Sequence, residues 1–363
     1  MISIAIWYSQ NVRVADRVVA RFENSLRHGH LQVSYLKEKY FLNSNTFPHI
    51  PTSQVNGSSL ILIPMRAFSA SVVAFFVAAS NAQKIVITND DGWATAQIRA
   101  EYNALKAAGY DVILSAPAEN ASGTGSLSIG TPPPLLMPCE FNTCRAGSPG
   151  VGSDATDPQI NYVNGFPVDA VKHGIQTLSP QFFGSPPDFV ISGSNIGNNL
   201  GIAVLGSGTV GATSEAVKEG IPAVAFSGAS GSQVSFTTLS NATAPSTIAA
   251  NIYTDLILQF TAALLANPAP ILPSGTSLNV NFAAVDSCLS AASYKFVLTR
   301  VFSNILSTDV TTCGTNHLPT ESSAIKNGCI ATVSVLNAST KLDANAATQQ
   351  VVLNKLSSIL SCL

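Results

Sequence analysis

Apolar runs alternate with punctuating glycines and polar clusters across residues 84–301, and the spacing predicts repeated strand and helix units. Lys84-Ile85-Val86-Ile87-Thr88 is a short β-branched run, the pattern of a strand buried on both faces. Asn89-Asp90-Asp91-Gly92 ends it. A helix is predicted from about Trp93 to Ala108, with Gly109 as its stop. Asp111 to Ala116 reads as a second strand, which makes a βαβ unit and therefore a parallel sheet with helices packed on it. The pattern returns with a strand at Asp188 to Ser192, a helix at Thr209 to Glu219 stopped by Gly220, and a strand at Ala223 to Ser227. Ser246 to Ala266 reads as a long helix, and Leu278 to Phe282 and Lys295 to Val301 as later strands. Residues 130–160, rich in Pro, Gly and Ser, are expected to form a surface excursion. The class is therefore α/β with a mostly parallel sheet. In such sheets ligands bind beyond the carboxyl ends of the strands. Polar clusters follow Thr88, Ala116 and Ser192, so three separated loops are expected to converge on one pocket.

The first 82 residues do not share this pattern. Met65-Arg66 precedes an apolar run, Ala67 to Ala79, and then Ser80-Asn81-Ala82. A basic start, a hydrophobic stretch and a small-x-small site in that order describe a signal peptide. Its position inside the chain implies that Met65 is the true start, Gln83 the first mature residue and 1–64 a mistaken extension. A membrane anchor is the competing reading of Leu60 to Ala79, but Pro64 and Arg66 interrupt it. The expected domains are thus an extension at 1–64, a signal peptide at 65–82 and one enzyme-sized domain at 83–363.

Composition sharpens the picture. Hydrophobic residues are 46% of the chain, enough for a large core, whereas charged residues are only 10%, well below the roughly 25% of typical soluble domains. Ser, Thr, Asn and Ala take over the surface, which suits an extracellular protein. From Gln83 onward there are 11 basic and 17 acidic residues, a net charge of −6. An acidic body without a Lys/Arg cluster argues against binding a nucleic acid duplex. All six cysteines (139, 144, 288, 313, 329, 362) follow Gln83, and an even count in a secreted chain reads as disulfides. Cys139 and Cys144 are close enough for a small loop; the other four leave three pairings open. None has the C-x-x-C spacing of structural zinc. Asn120, Asn241 and Asn337 head glycosylation sequons.

Four segments carry candidate chemistry. Asp90-Asp91 places two carboxylates side by side at a strand end; they repel unless a cation lies near, and hard oxygen ligands select Mg²⁺, Mn²⁺ or Ca²⁺. The same residues also suit an ordinary solvated turn. Ser122-Gly123-Thr124-Gly125-Ser126 could bring a hydroxyl and backbone N–H groups to a metal or phosphate, or serve as a flexible connection. Asn195 and Asn199, spaced by glycines at 193, 197 and 201, offer neutral carbonyl ligands on a backbone that permits close approach. Ser207-Gly208-Thr209 opens a helix, and reads equally as an anion site or as a plain N-cap.

Together and in this order, these motifs resemble the SurE (survival protein E) family of phosphatases and 5′-nucleotidases. The resemblance runs through Ile85 to Gly92, Ala116-Pro117 to Ser122-Gly123, Pro167-x-Asp169, Pro187 to Gly201, Ser207 to Val210 and Gly220 to Ala225, with weaker echoes as far as 336. It implies a Rossmann-like three-layer fold with a C-terminal extension. It further implies a divalent metal, Mg²⁺ or Mn²⁺, held by Asp90, Asp91, the Ser122 hydroxyl and Asn195. Asp90 and Asp91 would be catalytic, with Asn89, Asn199, Ser207, Gly208 and Thr209 facing the substrate phosphate. The implied reaction is hydrolysis of a small phosphate monoester, by a secreted homodimer that binds no membrane. Gly206 stands where the family usually has an aromatic residue, and Thr320-Glu321 where it has Thr-Asp. His173, in an expected helix, reads as structural; His317 is a candidate acid or base only by its C-terminal location. A SurE-like scaffold that has lost turnover and only captures phosphorylated ligands is the alternative function.

Overall fold

The computed structural model describes residues 82–303 and 308–363. The expected extension at 1–64, and the expected signal peptide apart from Ala82, lie outside the described residues.

Among the described residues, nine strands form one sheet in the order β3-β4-β2-β1-β5-β6-β7-β9-β8. The strands are β1 (Lys84–Thr88), β2 (Asp111–Pro117), β3 (Val151–Ser153), β4 (Ile160–Val163), β5 (Phe189–Ile196), β6 (Ala223–Gly228), β7 (Thr276–Phe282), β8 (Lys295–Thr299) and β9 (Ile330–Asn337). β1 pairs in parallel with β2 on one side and with β5 on the other. The run β4-β2-β1-β5-β6-β7 is parallel throughout, while β3–β4 and β7–β9 are antiparallel. Strand order reverses between β1 and β5, and the carboxyl ends of strands at such a switch point are where open α/β sheets place their ligands.

The apolar runs form strands because alternate residues meet different helix layers. Ile85 and Ile87 of β1, with Val112, Leu114, Phe189, Ile191, Val224 and Phe226, join a large core against α1 (Ala96–Ala107) and α4 (Pro245–Leu265). Val86, Ile113 and Val190 point the other way, onto α2 (Pro167–His173) and α3 (Gly208–Lys218), through Val171, Ala212 and Ala216. A period of two on a sheet covered on both sides gives continuous hydrophobic runs rather than a polar alternation. Pro245–Leu265 is long and apolar enough to cross a membrane by length and composition. Here Tyr253, Leu256, Ile257, Phe260 and Leu264 are fully buried against the sheet, so it serves as the core helix of that layer.

Two differences from the sequence expectation fall where the site lies. The first helix begins at Ala96 rather than Trp93 because Trp93 N–H donates to Pro117 O (2.9 Å), which holds Trp93 in the site turn. β5 runs on to Ile196 and so carries Asn195 within the strand. The excursion at 130–160 is not all surface: β3 and β4 come from its end and extend the sheet beyond β2. β9 is an added strand, between β7 and β8. α5 (Ala346–Lys355) follows it, and a single helical turn at Glu321–Ala324 lies between β8 and β9. Cys139–Cys144 closes the small loop, and the remaining cysteines pair as Cys288–Cys329 and Cys313–Cys362.

Candidate active site

The site begins with the turn after β1. Asn89 donates through Nδ2 to Gly92 O (3.0 Å) and accepts from Gly92 N–H at Oδ1 (3.1 Å). This side chain therefore clamps the turn that presents Asp90 and Asp91. Gly92 has φ +116°, a conformation that favours glycine. A Cβ there would also run into the carboxylate of Glu140.

Asp90 and Asp91 are 2% and 1% exposed. Buried charges persist only with strong partners, and each carboxylate has a different set. Asp90 points at the start of α3: Thr209 Oγ1 donates to Oδ1 (2.8 Å) and Thr209 N–H to Oδ2 (3.0 Å). The approach is close enough that a Cβ on Gly208 would lie 2.9 Å from Asp90 Cβ. Asp91 accepts from Ile196 N–H at Oδ2 (2.8 Å) and from Gln233 Nε2 at Oδ1 (2.6 Å). Burial pushes the Asp90 carboxyl up, against the Thr209 hydrogen bonds that favour its charge. Burial also pushes Asp91 well up, and the neighbouring Asp90 charge adds to it, with Glu140 contributing further. Two carboxylates held this way call for a positive counter-charge.

The loops named by sequence meet here in part. Asn195 spends its amide on Gly197 O (2.6 Å), while its Oδ1 is buried without a partner. Asn199 is tied inward: its N–H donates to Asn281 Oδ1 (2.8 Å) and its Nδ2 to Ser227 Oγ (2.9 Å). Ser207 Oγ accepts from Val210 N–H (3.2 Å), so it caps α3. The Ser122 loop is joined to the turn by Ala121 N–H donating to Asp90 O (2.7 Å), and the exposed Ser122 follows directly. Ser122 N–H donates to Asn120 Oδ1 (2.8 Å). His173 and His317 lie elsewhere. His173 lines a hollow with Val151 and Phe182, and His317 a cavity of about 500 Å³ beside Cys313 and Cys362.

Gln233, Glu140 and Glu101 were not legible as site residues in the sequence. Gln233 sits in a Gly/Ser-rich loop after β6 and reaches Asp91 only through the sheet topology. Glu101, 1% exposed on α1, accepts from Ser194 N–H (3.1 Å) and so supports the backbone next to Asn195. Glu140 adjoins Cys139, and that adjacency was its one available signal.

Among the described residues, no group of three or more His, Cys, Asp or Glu is placed to hold a metal ion. The donor set here is of another kind, two abutting carboxylates and an orphaned buried amide oxygen at Asn195. That combination of charge and neutral oxygen fits a hard divalent cation.

A family model described as "Survival protein SurE" matches residues 85–346. An acid phosphatase of Yarrowia lipolytica is 39% identical over 207 residues, covering 55% of this chain and 57% of that protein. A 5′-nucleotidase SurE of Synechocystis is 38% identical over 146 residues, covering 39% of this chain and 46% of that protein. The chain thus spans about half the length of the curated relatives it matches. The solved SurE protein of Aquifex aeolicus aligns over 74% of this chain and 98% of its own, with 23% identity and a TM-score of 0.49.

Proposed function

The chain belongs to the SurE family, and from that premise we propose that it is a secreted phosphomonoester hydrolase dependent on a divalent metal, Mg²⁺ or Mn²⁺. The observation that carries the reading is the buried Asp90-Asp91 pair at the switch point of the sheet, with Asn195 Oδ1 left unpaired one residue before Ile196, whose N–H binds Asp91. Asp90, Asp91, Asn195 and Ser122 would hold the ion. When bound, it would supply positive charge to the phosphoryl oxygens and to the attacking water.

The chain's own residues prepare that reaction. Thr209 fixes both oxygens of Asp90, and Ile196 and Gln233 fix those of Asp91, so neither carboxylate swings on binding. Such pre-organisation is where phosphoryl transfer gains most, because the protein contributes chiefly position and field. The 11-residue helix α3 points its N-terminus at the same place, and that end of a helix favours a phosphate. Acid phosphatase and 5′-nucleotidase are the names of the relatives, and a small phosphate monoester is the substrate class we carry over. Secretion is supported by six cysteines paired in three disulfides and by the exposure of the sequon residues Asn241 and Asn337. A homodimer remains part of the same reading.

The test is hydrolysis of an aryl phosphate from acidic to neutral pH, with EDTA and then with Mg²⁺ or Mn²⁺ restored. Activity lost to EDTA and regained with metal is expected. No hydrolysis under any metal would overturn the enzyme reading and leave a phospho-ligand-binding scaffold. Asp91→Asn separates the two further, since it should abolish turnover.

A further inference from the structure

We propose that Glu140 is a positioning residue for the Asp90-Asp91 turn, delivered to it by the Cys139–Cys144 loop; this deepens the site reading given above. Glu140 is 8% exposed, although its neighbour Phe141 is 40% exposed. Its side chain and backbone grip two different site loops. Through Oε2 it accepts from Ala94 N–H (3.3 Å), in the segment that follows the carboxylate turn. Its carboxylate also lies directly over the Cα of Gly92, in the space a Cβ would need. Through its own N–H it donates to Ala118 O (3.1 Å), at the end of β2, three residues before Ala121 binds Asp90 O. Glu140 therefore bridges the loop that carries Asp91 and the loop that carries Ser122.

The disulfide explains why a surface excursion can supply such a residue. Cys139 is 2% exposed and belongs to the main core, so it anchors one end. Cys139 N–H donates to Cys144 O (3.1 Å), and Thr143 Oγ1 to Glu140 O (2.7 Å). Between them Phe141 and Asn142 hold φ of 55° and 59°. Two consecutive non-glycine residues in the left-handed region are costly and persist only where the surroundings over-determine them. The five-residue closure and the core anchor supply that determination. A merely structural carboxylate would hold its loop alone; a positioning one must also hold the metal turn.

The proposal is tested on the full chain with Glu140→Leu, Glu140→Gln and the double substitution Cys139→Ala/Cys144→Ala. Two readouts are compared: Mn²⁺ affinity by calorimetry, and amide hydrogen exchange at Gly92 to Thr95 in metal-free protein. Glu140→Leu should weaken Mn²⁺ binding ~10-fold or more, as loss of a supporting partner does, and accelerate exchange at that turn. Glu140→Gln keeps the acceptor oxygen and should stay close to the unsubstituted protein. The cysteine double variant should behave like Glu140→Leu, and it carries the test should Glu140→Leu not fold. Unchanged affinity and exchange in Glu140→Leu would overturn the proposal, as would damage from Glu140→Gln equal to that from Glu140→Leu. If the unsubstituted protein takes up no Mn²⁺, the metal reading fails, while the exchange comparison still decides the role of Glu140.

Discussion

At the scale of single residues, the two buried carboxylates of the site each have both oxygens engaged by fixed donors, while Asn195 Oδ1 is left without one. Thr209 is the clearest case, because its hydroxyl and its N–H both go to Asp90. Thr209→Val keeps the shape and the N–H but removes the hydroxyl. It is expected to weaken metal binding and kcat/KM by ~10-fold or more, as partners of metal ligands do, in paired calorimetry and kinetics. Gly92 and Gly109 make a second comparison. Both have positive φ, +116° and +92°, but a Cβ on Gly92 meets the Glu140 carboxylate while one on Gly109 meets nothing within 4 Å. Gly109→Ala should therefore cost only backbone strain, ~1 kcal/mol. Gly92→Ala should cost clearly more in denaturant unfolding, and lower activity as well.

At the scale of elements, the short turn Glu321–Ala324 supports the site loop from beneath. Asn279 Nδ2, on β7, donates both to Glu321 Oε1 (2.8 Å) and to Asn199 O (3.0 Å). Burial pushes the Glu321 carboxyl up to about 8, with hydrogen bonds from Ser334, Asn279 and Gly201 opposing and the Asp343 charge adding to the rise. A carboxyl whose folded value is raised stabilises the fold fully below its unfolded value near 4.5, and that contribution is lost as pH climbs through about 8. The unfolding temperature should therefore fall between pH 5 and 8.5, and Glu321→Gln should flatten that slope. Other buried carboxyls share the trend, so the difference between the two proteins is the measurement. This support was not visible in the sequence, because β9 alternates Thr332 and Ser334 with Ala331 and Val333 and lacks the continuous apolar signal of a parallel strand. β4 was hidden for a related reason, being four residues between Pro158 and Gly165. The strands β1, β2, β5 and β6 were legible because both faces are covered. Asp90 and Asp91 were legible because they follow directly on β1, and Asn195 because glycines at 193 and 197 flank it. Gln233 and Glu140 were not, since only the tertiary path brings them to Asp91.

At the scale of the whole molecule, two of the three disulfides fasten the C-terminal part, where β8 forms the edge of the sheet. Cys313–Cys362 closes a loop of 49 residues and Cys288–Cys329 one of 41. Removing the first by Cys313→Ala/Cys362→Ala is expected to cost about 4 kcal/mol of stability by loop entropy, read from chemical unfolding. The Asp90-Asp91 turn lies at the far side of β5 and β6, and the Mn²⁺ affinity proposed for it should be unchanged. A chain made from its N-terminus presents Asp90 and Asp91 early, whereas Ile196, Thr209 and Gln233 arrive more than a hundred residues later. Until β5 docks beside β1 and β6 beside β5, the acidic pair is hydrated and ionised at no cost. The desolvation of these two carboxylates therefore waits for the middle of the chain and comes before β7, β8 and β9 have been made, so a chain cut short of Gln233 lacks the partners that hold the acidic pair.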